Sequence, residues 1–308
     1  MKQNTISVII PCYNEGEALI LAVESILNQS VLPLEIIIID DCSTNPFTFE
    51  VLDTLTKKEL VQVIYSKQNV GPGIARNSGI EKAKGEWILL LDSDDLLLEN
   101  VILSLQKAID ENSNADFFFW NYCLHLVSKN EKEVVSTKVV CMNDCNQLDP
   151  YKLARNFIIP GCSPYRKSMW EKNSGYDPQL SKGGVEDIDF WRRAILNGAV
   201  GYHIDETLYQ WNRQETGNNS NIDEEKYLIH RIKMLAYYDK YNPDQAKEVR
   251  PYIYRYFSSR LMARELNDFL RKEKNHFSFW QRLKAKGLYF KVLYKLFRVI
   301  KNQFHFNL

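Results

Sequence analysis

Four short aliphatic runs in the first hundred residues, each followed at once by a polar turn, constrain this chain more than any other feature. The runs are Ile6–Ile10, Glu35–Ile39, Val61–Tyr65 and Trp87–Leu91, the second and fourth nearly unbroken. Continuous Ile and Leu runs of this length belong to strands covered on both faces. Helical patterns separate them over Glu17–Asn28 (apolar Leu19, Val23, Ile26 and Leu27), Phe49–Thr56 and Ile74–Lys84, with Gly85 expected as the C-cap of the last. Such alternation predicts an α/β fold, Rossmann-like, with a mostly parallel central sheet and helices on both faces. Ligands of such sheets bind beyond the carboxyl ends of the strands. Those ends read Pro11-Cys12-Tyr13-Asn14-Glu15-Gly16, Asp40-Asp41-Cys42-Ser43, Asn69-Val70-Gly71-Pro72-Gly73 and Asp92-Ser93-Asp94-Asp95. Parallel neighbours would bring all four to one rim.

Beyond Asn100 the pattern gives a helix over Val101–Asp110, an apolar strand over Phe117–Val127, a polar β-like stretch to Met142 and a mixed region to about Ile204. Helical character resumes at Glu224, after Gly217-Asn218-Asn219-Ser220-Asn221 has broken any regular structure. The expected organisation is therefore a first domain at 1–220 and a helical C-terminal region at 221–308. With 45% hydrophobic residues in 308, the chain can bury a sizeable core, and disordered or collagen-like readings are excluded.

Charge divides along the same line. The formal net charge is zero, yet Arg271 to Leu308 holds ten Lys/Arg against the single acid Glu273, so the preceding part is acidic by nine charges. An acidic body argues against nucleic acid as a partner. In the tail, about 275–302, Lys284, Lys291, Lys295, Arg298 and Lys301 recur at helical spacing beside Leu288, Leu293, Leu296 and Ile300. A basic stripe beside an apolar face suits a helix lying in a membrane surface; a helix packed on the first domain with solvated lysines is the alternative. No run of 18 apolar residues and no secretory leader is visible, and the six scattered cysteines read as reduced thiols, so a cytoplasmic protein is expected.

Four features carry chemistry. Asp92, Asp94 and Asp95 at a strand end would form a hard-oxygen site, of the kind that nucleotide-bound Mg²⁺ or Mn²⁺ shares with phosphate and water; capping of the following helix is the competing role. Asp40-Asp41 can accept from ligand N–H groups or make an Asx turn with Ser43 and Thr44. Arg76 can meet a phosphate or an ordinary surface acid. Glu186-Asp187, after Gly183-Gly184 and opening a helix that ends near Gly198, can present a general base over a site or simply cap that helix.

These segments, taken in order, resemble the family 2 inverting glycosyltransferases: Ser7-Val8-Ile9-Ile10-Pro11-Cys12-Tyr13-Asn14-Glu15, Ile39-Asp40-Asp41-Cys42-Ser43-Thr44, Asn69-Val70-Gly71, Ala75-Arg76-Asn77-Ser78-Gly79-Ile80, Leu91-Asp92-Ser93-Asp94-Asp95 and Glu186-Asp187. The resemblance covers roughly residues 5–215 and implies the nucleotide-sugar-binding GT-A fold. It implies that Pro11, Tyr13 and Glu15 line a nucleoside pocket, that Asp41 accepts from the base, and that Arg76 lies near the diphosphate. Asp92 would reach the ribose or metal side, Asp94 and Asp95 would hold Mn²⁺ or Mg²⁺, and Asp187, with Glu186 beside it, would be the catalytic base. Trp191 and Trp211 are candidate sugar-stacking surfaces, although large aromatics at such positions are more often core.

Many members carry an aromatic residue, Arg, any residue and His where this chain has Trp211-Asn212-Arg213-Gln214. The contacts of that His are then absent or pass to Arg213. The implied donor is a nucleoside-diphosphate sugar, with uridine expected, and the implied acceptor is a hydroxyl of a glycan or lipid-linked molecule in surface polysaccharide synthesis, at the inner face of the plasma membrane. A sugar nucleotidyltransferase would want a basic Gly-rich loop where Pro11–Gly16 is acidic, and a dehydrogenase would want Gly-x-Gly-x-x-Gly after the first strand. The alternatives are a catalytically silent scaffold for sugar nucleotides and, against the acidic character of that loop, the sugar nucleotidyltransferase.

Overall fold

The computed structural model describes residues 4–127, 134–140, 159–178, 180–182 and 184–214. The expected boundary near 220, the helical region at 221–308 and its basic tail lie outside the described residues. Along the described chain the elements are β1 (Ile6–Cys12), α1 (Glu17–Leu27), β2 (Glu35–Asp40), α2 (Pro46–Leu55), β3 (Val61–Tyr65), α3 (Pro72–Lys82), β4 (Trp87–Leu90), β5 (Leu96–Leu97), α4 (Val101–Glu111), β6 (Phe117–Val127), β7 (Val134–Val140), β8 (Tyr165–Arg166), α5 (Lys167–Lys172), α6 (Glu186–Leu196) and β9 (Gly201–Gln214).

The described strands form one nine-stranded sheet in the order β3-β2-β1-β4-β8-β6-β9-β5, with β7 paired to β6. Strands β1 to β4 are mutually parallel. Because β8 is antiparallel to both β4 and β6, the long strands β6 and β9 run in the same sense as the first four. The expected α/β architecture is therefore present, and the four polar strand ends share one edge.

Every residue of β1 and β2 is buried, as their unbroken apolar runs require. Alternate side chains separate into two layers. Val8, Ile10, Ile36, Ile38 and Leu89 face α1, α2 and α4, which present Leu19, Val23, Leu52 and Leu105. Ile9, Ile37, Ile39, Ile88 and Leu90 face α3, α5 and α6, with Ile80, Met169 and Phe190. At about 25 cal/mol per Å² of apolar surface removed from water, these two layers are the main source of the fold's stability.

Helix boundaries differ from the sequence reading where capping intervenes. α2 starts at Pro46, three residues before Phe49, because the Asn45 side chain accepts from Phe47 N and proline suits the first helical position. α3 likewise starts at Pro72 and ends at Lys82. Gly85 is not its C-cap: it lies beyond Ala83, its N–H donates to Ser7 Oγ at 2.8 Å, and a Cβ there would sit 2.6 Å from Ser7 N. In the polar stretch to Met142, strand β7 occupies Val134–Val140.

Candidate active site

The ends of β1, β2 and β4 enclose a cleft of about 650 Å³. Of the residues singled out in the sequence, Pro11, Tyr13, Glu15, Asp41, Arg76, Asp92, Asp94, Asp95 and Trp211 line it together. The loops are fastened to one another. Asn14, in the left-handed region at φ 59°, accepts at Oδ1 from Thr44 N (2.7 Å) and Asn45 N (3.0 Å), and its own N–H donates to Ser43 Oγ (2.8 Å). Asp41 is buried and accepts from Val70 N at 2.8 Å and Gly71 N at 2.7 Å. It therefore holds the turn into α3, and any base it meets must share its remaining lone pairs.

Arg76 is buried and spans the cleft floor. It donates from Nη2 to Asp92 Oδ1 at 2.7 Å and from Nη1 to Glu186 Oε1 at 3.2 Å. Burial by itself would lower its pKa, but Asp92 and Glu186 outweigh that and hold it well above the usual value. Glu186 and Asp187 open α6, and this ion pair joins them to the strand ends. Asp187 is half-buried, with Oδ1 accepting from Ile188 N at 2.6 Å. Burial raises its pKa, while Arg76 and the Ile188 N–H oppose the rise. Burial, and next Asp187, push Glu186 up to about 7 against the pull of Arg76. Glu186 Oε2 is buried without a hydrogen-bond partner.

The aspartates after β4 divide in role. Asp94 is open to the cleft, yet the surrounding protein, followed by Asp92 and Glu15, pushes it up to about 7. Asp95 is 1% exposed and both of its oxygens are engaged: Oδ1 accepts from Asn212 N at 2.7 Å and Oδ2 from the Tyr209 hydroxyl. Asn212 Nδ2 also donates to Asp94 O at 2.7 Å. Three crowded carboxylates invite a cation, but among the described residues no group of three His, Cys, Asp or Glu side chains forms a metal cage of its own. Asp94, with the Asp92 oxygen that Arg76 does not engage, fits a metal that brings phosphate and water as its other ligands.

Trp191 and Arg213 lie outside the lining of the cleft. Trp191 is 1% exposed and packs with Phe117, Tyr165 and Phe190, so it is core and not a sugar platform. Arg213 does not line the cleft; its guanidinium carbon lies 5.7 Å from the Trp211 ring centroid, stacked on a residue that does. Sequence reasoning also missed the residues that hold the site together. Ser181 Oγ accepts from Ile74 N at 2.8 Å, and Asn77 Oδ1 accepts from Tyr176 N at 2.8 Å and Trp170 Nε1 at 2.9 Å, so α3 carries the loop leading to α6. Asn77 and Asn212 stood inside segments that the family resemblance marks; Ser181 and Tyr209 had no local signal.

Comparison with known proteins agrees with this arrangement. Residues 7–173 match the family model described as glycosyl transferase family 2. An uncharacterized glycosyltransferase of Rickettsia conorii is 30% identical over 240 residues, covering 77% of this chain and 37% of that protein. The match to that relative thus spans little more than a third of its length. The putative teichuronic acid biosynthesis glycosyltransferase TuaG of Bacillus subtilis is 38% identical over 219 residues, 70% of this chain and 82% of TuaG. In structure, S. aureus TarS 1–349 in complex with UDP-GlcNAc aligns with a TM-score of 0.64 at 20% identity, over 87% of this chain and 79% of TarS 1–349, which establishes a common fold. With more than half of its length matched by the family, and the strand-end motifs gathered in one cleft, the chain belongs to glycosyl transferase family 2.

Proposed function

We propose that the protein is an inverting glycosyltransferase that moves a sugar from a uridine-diphosphate sugar to a hydroxyl of a glycan or lipid-linked acceptor in surface polysaccharide synthesis. The observation that carries this reading is the Arg76 bridge, which ties the strand-end carboxylate Asp92 to the acidic start of α6 beside one cleft. The name of TuaG and the UDP-GlcNAc held by TarS agree with such a donor and such a pathway class.

In this reading Pro11, Tyr13 and Glu15 bound the nucleoside pocket, and Asp41 accepts from the base while fixing the turn at Gly71. Asp92 and Asp94 would hold Mn²⁺ or Mg²⁺ with the donor's phosphate oxygens; when bound, the metal stabilises charge developing on the leaving diphosphate. Asp95, committed to Tyr209 and Asn212, keeps Asp94 in place. Asp187 takes the proton of the acceptor hydroxyl as its oxygen forms the bond to the anomeric carbon and the bond to diphosphate breaks on the opposite face. Trp211 offers a stacking face at the rim.

The purified protein with manganese, presented with a panel of nucleotide sugars and acceptors, should release nucleoside diphosphate from one of them. Asp187→Asn should bind nucleotide normally while transfer falls by about 10²- to 10⁴-fold; unchanged turnover would remove Asp187 from the role, and no release by the unaltered protein would favour the silent scaffold. We further propose peripheral attachment through the basic tail at 275–302. Replacing Lys284, Lys291 and Lys295 by Gln should weaken sedimentation with anionic vesicles, at roughly 1 kcal/mol per lysine; equal sedimentation would refute it. Among the described residues no helix is long and apolar enough to cross a membrane.

A further inference from the structure

Five carboxylates, Glu15, Asp41, Asp92, Asp94 and Asp95, line the cleft against two cations, Arg76 and Lys182. A diphosphate entering such a cleft needs positive charge that is free to turn toward it. Arg76 is not free. It is 7% exposed and committed to Asp92 and Glu186, and drawing it away would leave a buried carboxylate without its counter-ion. Lys182 is the opposite case: it is exposed, and it has neither hydrogen bond nor ion pair among the described residues.

The backbone places this lysine with care. Its neighbour Ser181 is bonded to Ile74 N at the start of α3. Gly71, at φ 87°, is the residue whose N–H Asp41 holds, and a Cβ there would lie 2.5 Å from Ser181 O and 2.6 Å from Lys182 Cγ. The stem of Lys182 therefore lies along bare glycine backbone, in a space that any side chain at 71 would fill. A side chain at 71 would also be strained by the positive φ. The pairing of Gly71 with Lys182 brings an ammonium to the same turn that Asp41 fixes.

We propose that Lys182 is the cleft's contact for the donor diphosphate, with Arg76 reserved as an internal brace; the inference rests on the nucleotide-sugar reading above. An ammonium on a flexible stem can follow phosphate oxygens as a point charge, whereas a guanidinium already forked between two carboxylates cannot. Lys182 would then set the preference for diphosphate over monophosphate or free nucleoside.

Calorimetry in manganese-containing buffer with uridine, UMP and UDP tests this on the full chain. Lys182→Gln should weaken UDP about tenfold, leave uridine unchanged and flatten the salt dependence of UDP binding, while Lys182→Arg keeps most of the affinity. Wild-type UDP affinity in Lys182→Gln, with the unaltered protein binding UDP, overturns this inference alone. An equal loss for uridine and UDP overturns it too, because the change would then lie in the pocket's shape. An unaltered protein that binds none of the three overturns the donor reading along with it.

Discussion

In the parallel half of the sheet, the bonds that fasten the cleft loops to one another join residues 29 to 31 positions apart, as in Asn14 with Ser43 and Asn45, or Asp41 with Val70 and Gly71. The other half holds its share through bonds spanning 107 to 118 residues: Ser181 to Ile74, Glu186 to Arg76, and Tyr209 and Asn212 to Asp95 and Asp94. The difference follows from topology. Successive βα units place their loops side by side as they form, and short polar side chains can lock neighbours locally. α6 and β9 reach the cleft only after the chain has passed through β6, so their groups must be captured by residues laid down long before. The residues of the proposed nucleotide pocket are thus built into the scaffold, and the proposed base is carried on an element that the scaffold has to hold.

Arg76 is where the two halves meet, and its removal should give the largest effect. Arg76→Ala leaves Glu186 buried without its partner and Asp92, which is partly open to solvent, free to hydrate. Above pH 7, where Glu186 is ionised, a loss of about 3 kcal/mol in denaturant unfolding is expected, mostly from the Glu186 side. Hydrogen exchange should rise at residues 184–190 and stay low at 91–95, because Leu91 N still donates to Ile9 O and Asp95 N to Asp92 O. Equal loss of protection on both sides would break the comparison. Arg76→Lys, with a point charge in place of a fork, should recover less than half of the stability.

The same division decides what could be read from sequence. Ile36–Ile39 with Asp40-Asp41 behind it announces a buried parallel strand and a polar rim, because burial on both faces and the strand-end rule act within one βα unit. Pro11, Glu15, Asp41, Asp92 and Asp94 were legible for that reason. Tyr209 was not. Its hydroxyl meets Asp95 because β9 pairs antiparallel with β5 and sets Tyr209 opposite Leu97, a feature of tertiary packing. Trp191 was undecided for a similar reason: a large aromatic on an amphipathic helix faces core or cleft according to what it meets, and it meets Phe117 of β6. For Arg76 the residue was legible and its engagement was not, since one of its two partners lies 110 positions away.

The smaller prediction asks whether the long-range tie costs stability at neutral pH. Burial, followed by Asp187, outweighs Arg76 and raises Glu186 from 4.5 to about 7. A carboxyl whose folded pKa is raised is neutral in both states below about 4.5, so its environment costs nothing there. Between 4.5 and 7 the unfolded chain gives up the proton first, and folding stability falls with rising pH until the folded group also ionises. Gln at 186 cannot titrate. Thermal or urea unfolding of Glu186→Gln against the unaltered protein should therefore show the variant gaining at most about 3 kcal/mol relative to it as pH rises from 4.5 to above 7, levelling beyond. A difference that stays flat over that range would mean that Glu186 is ionised throughout, and that Arg76 alone suffices to hold α6 to the parallel half. The predicted slope would instead make the start of α6 an element held under electrostatic load, and a cation competing for Asp92 would then leave Arg76 more fully to Glu186 and lower the proton affinity of Glu186 beside the proposed base.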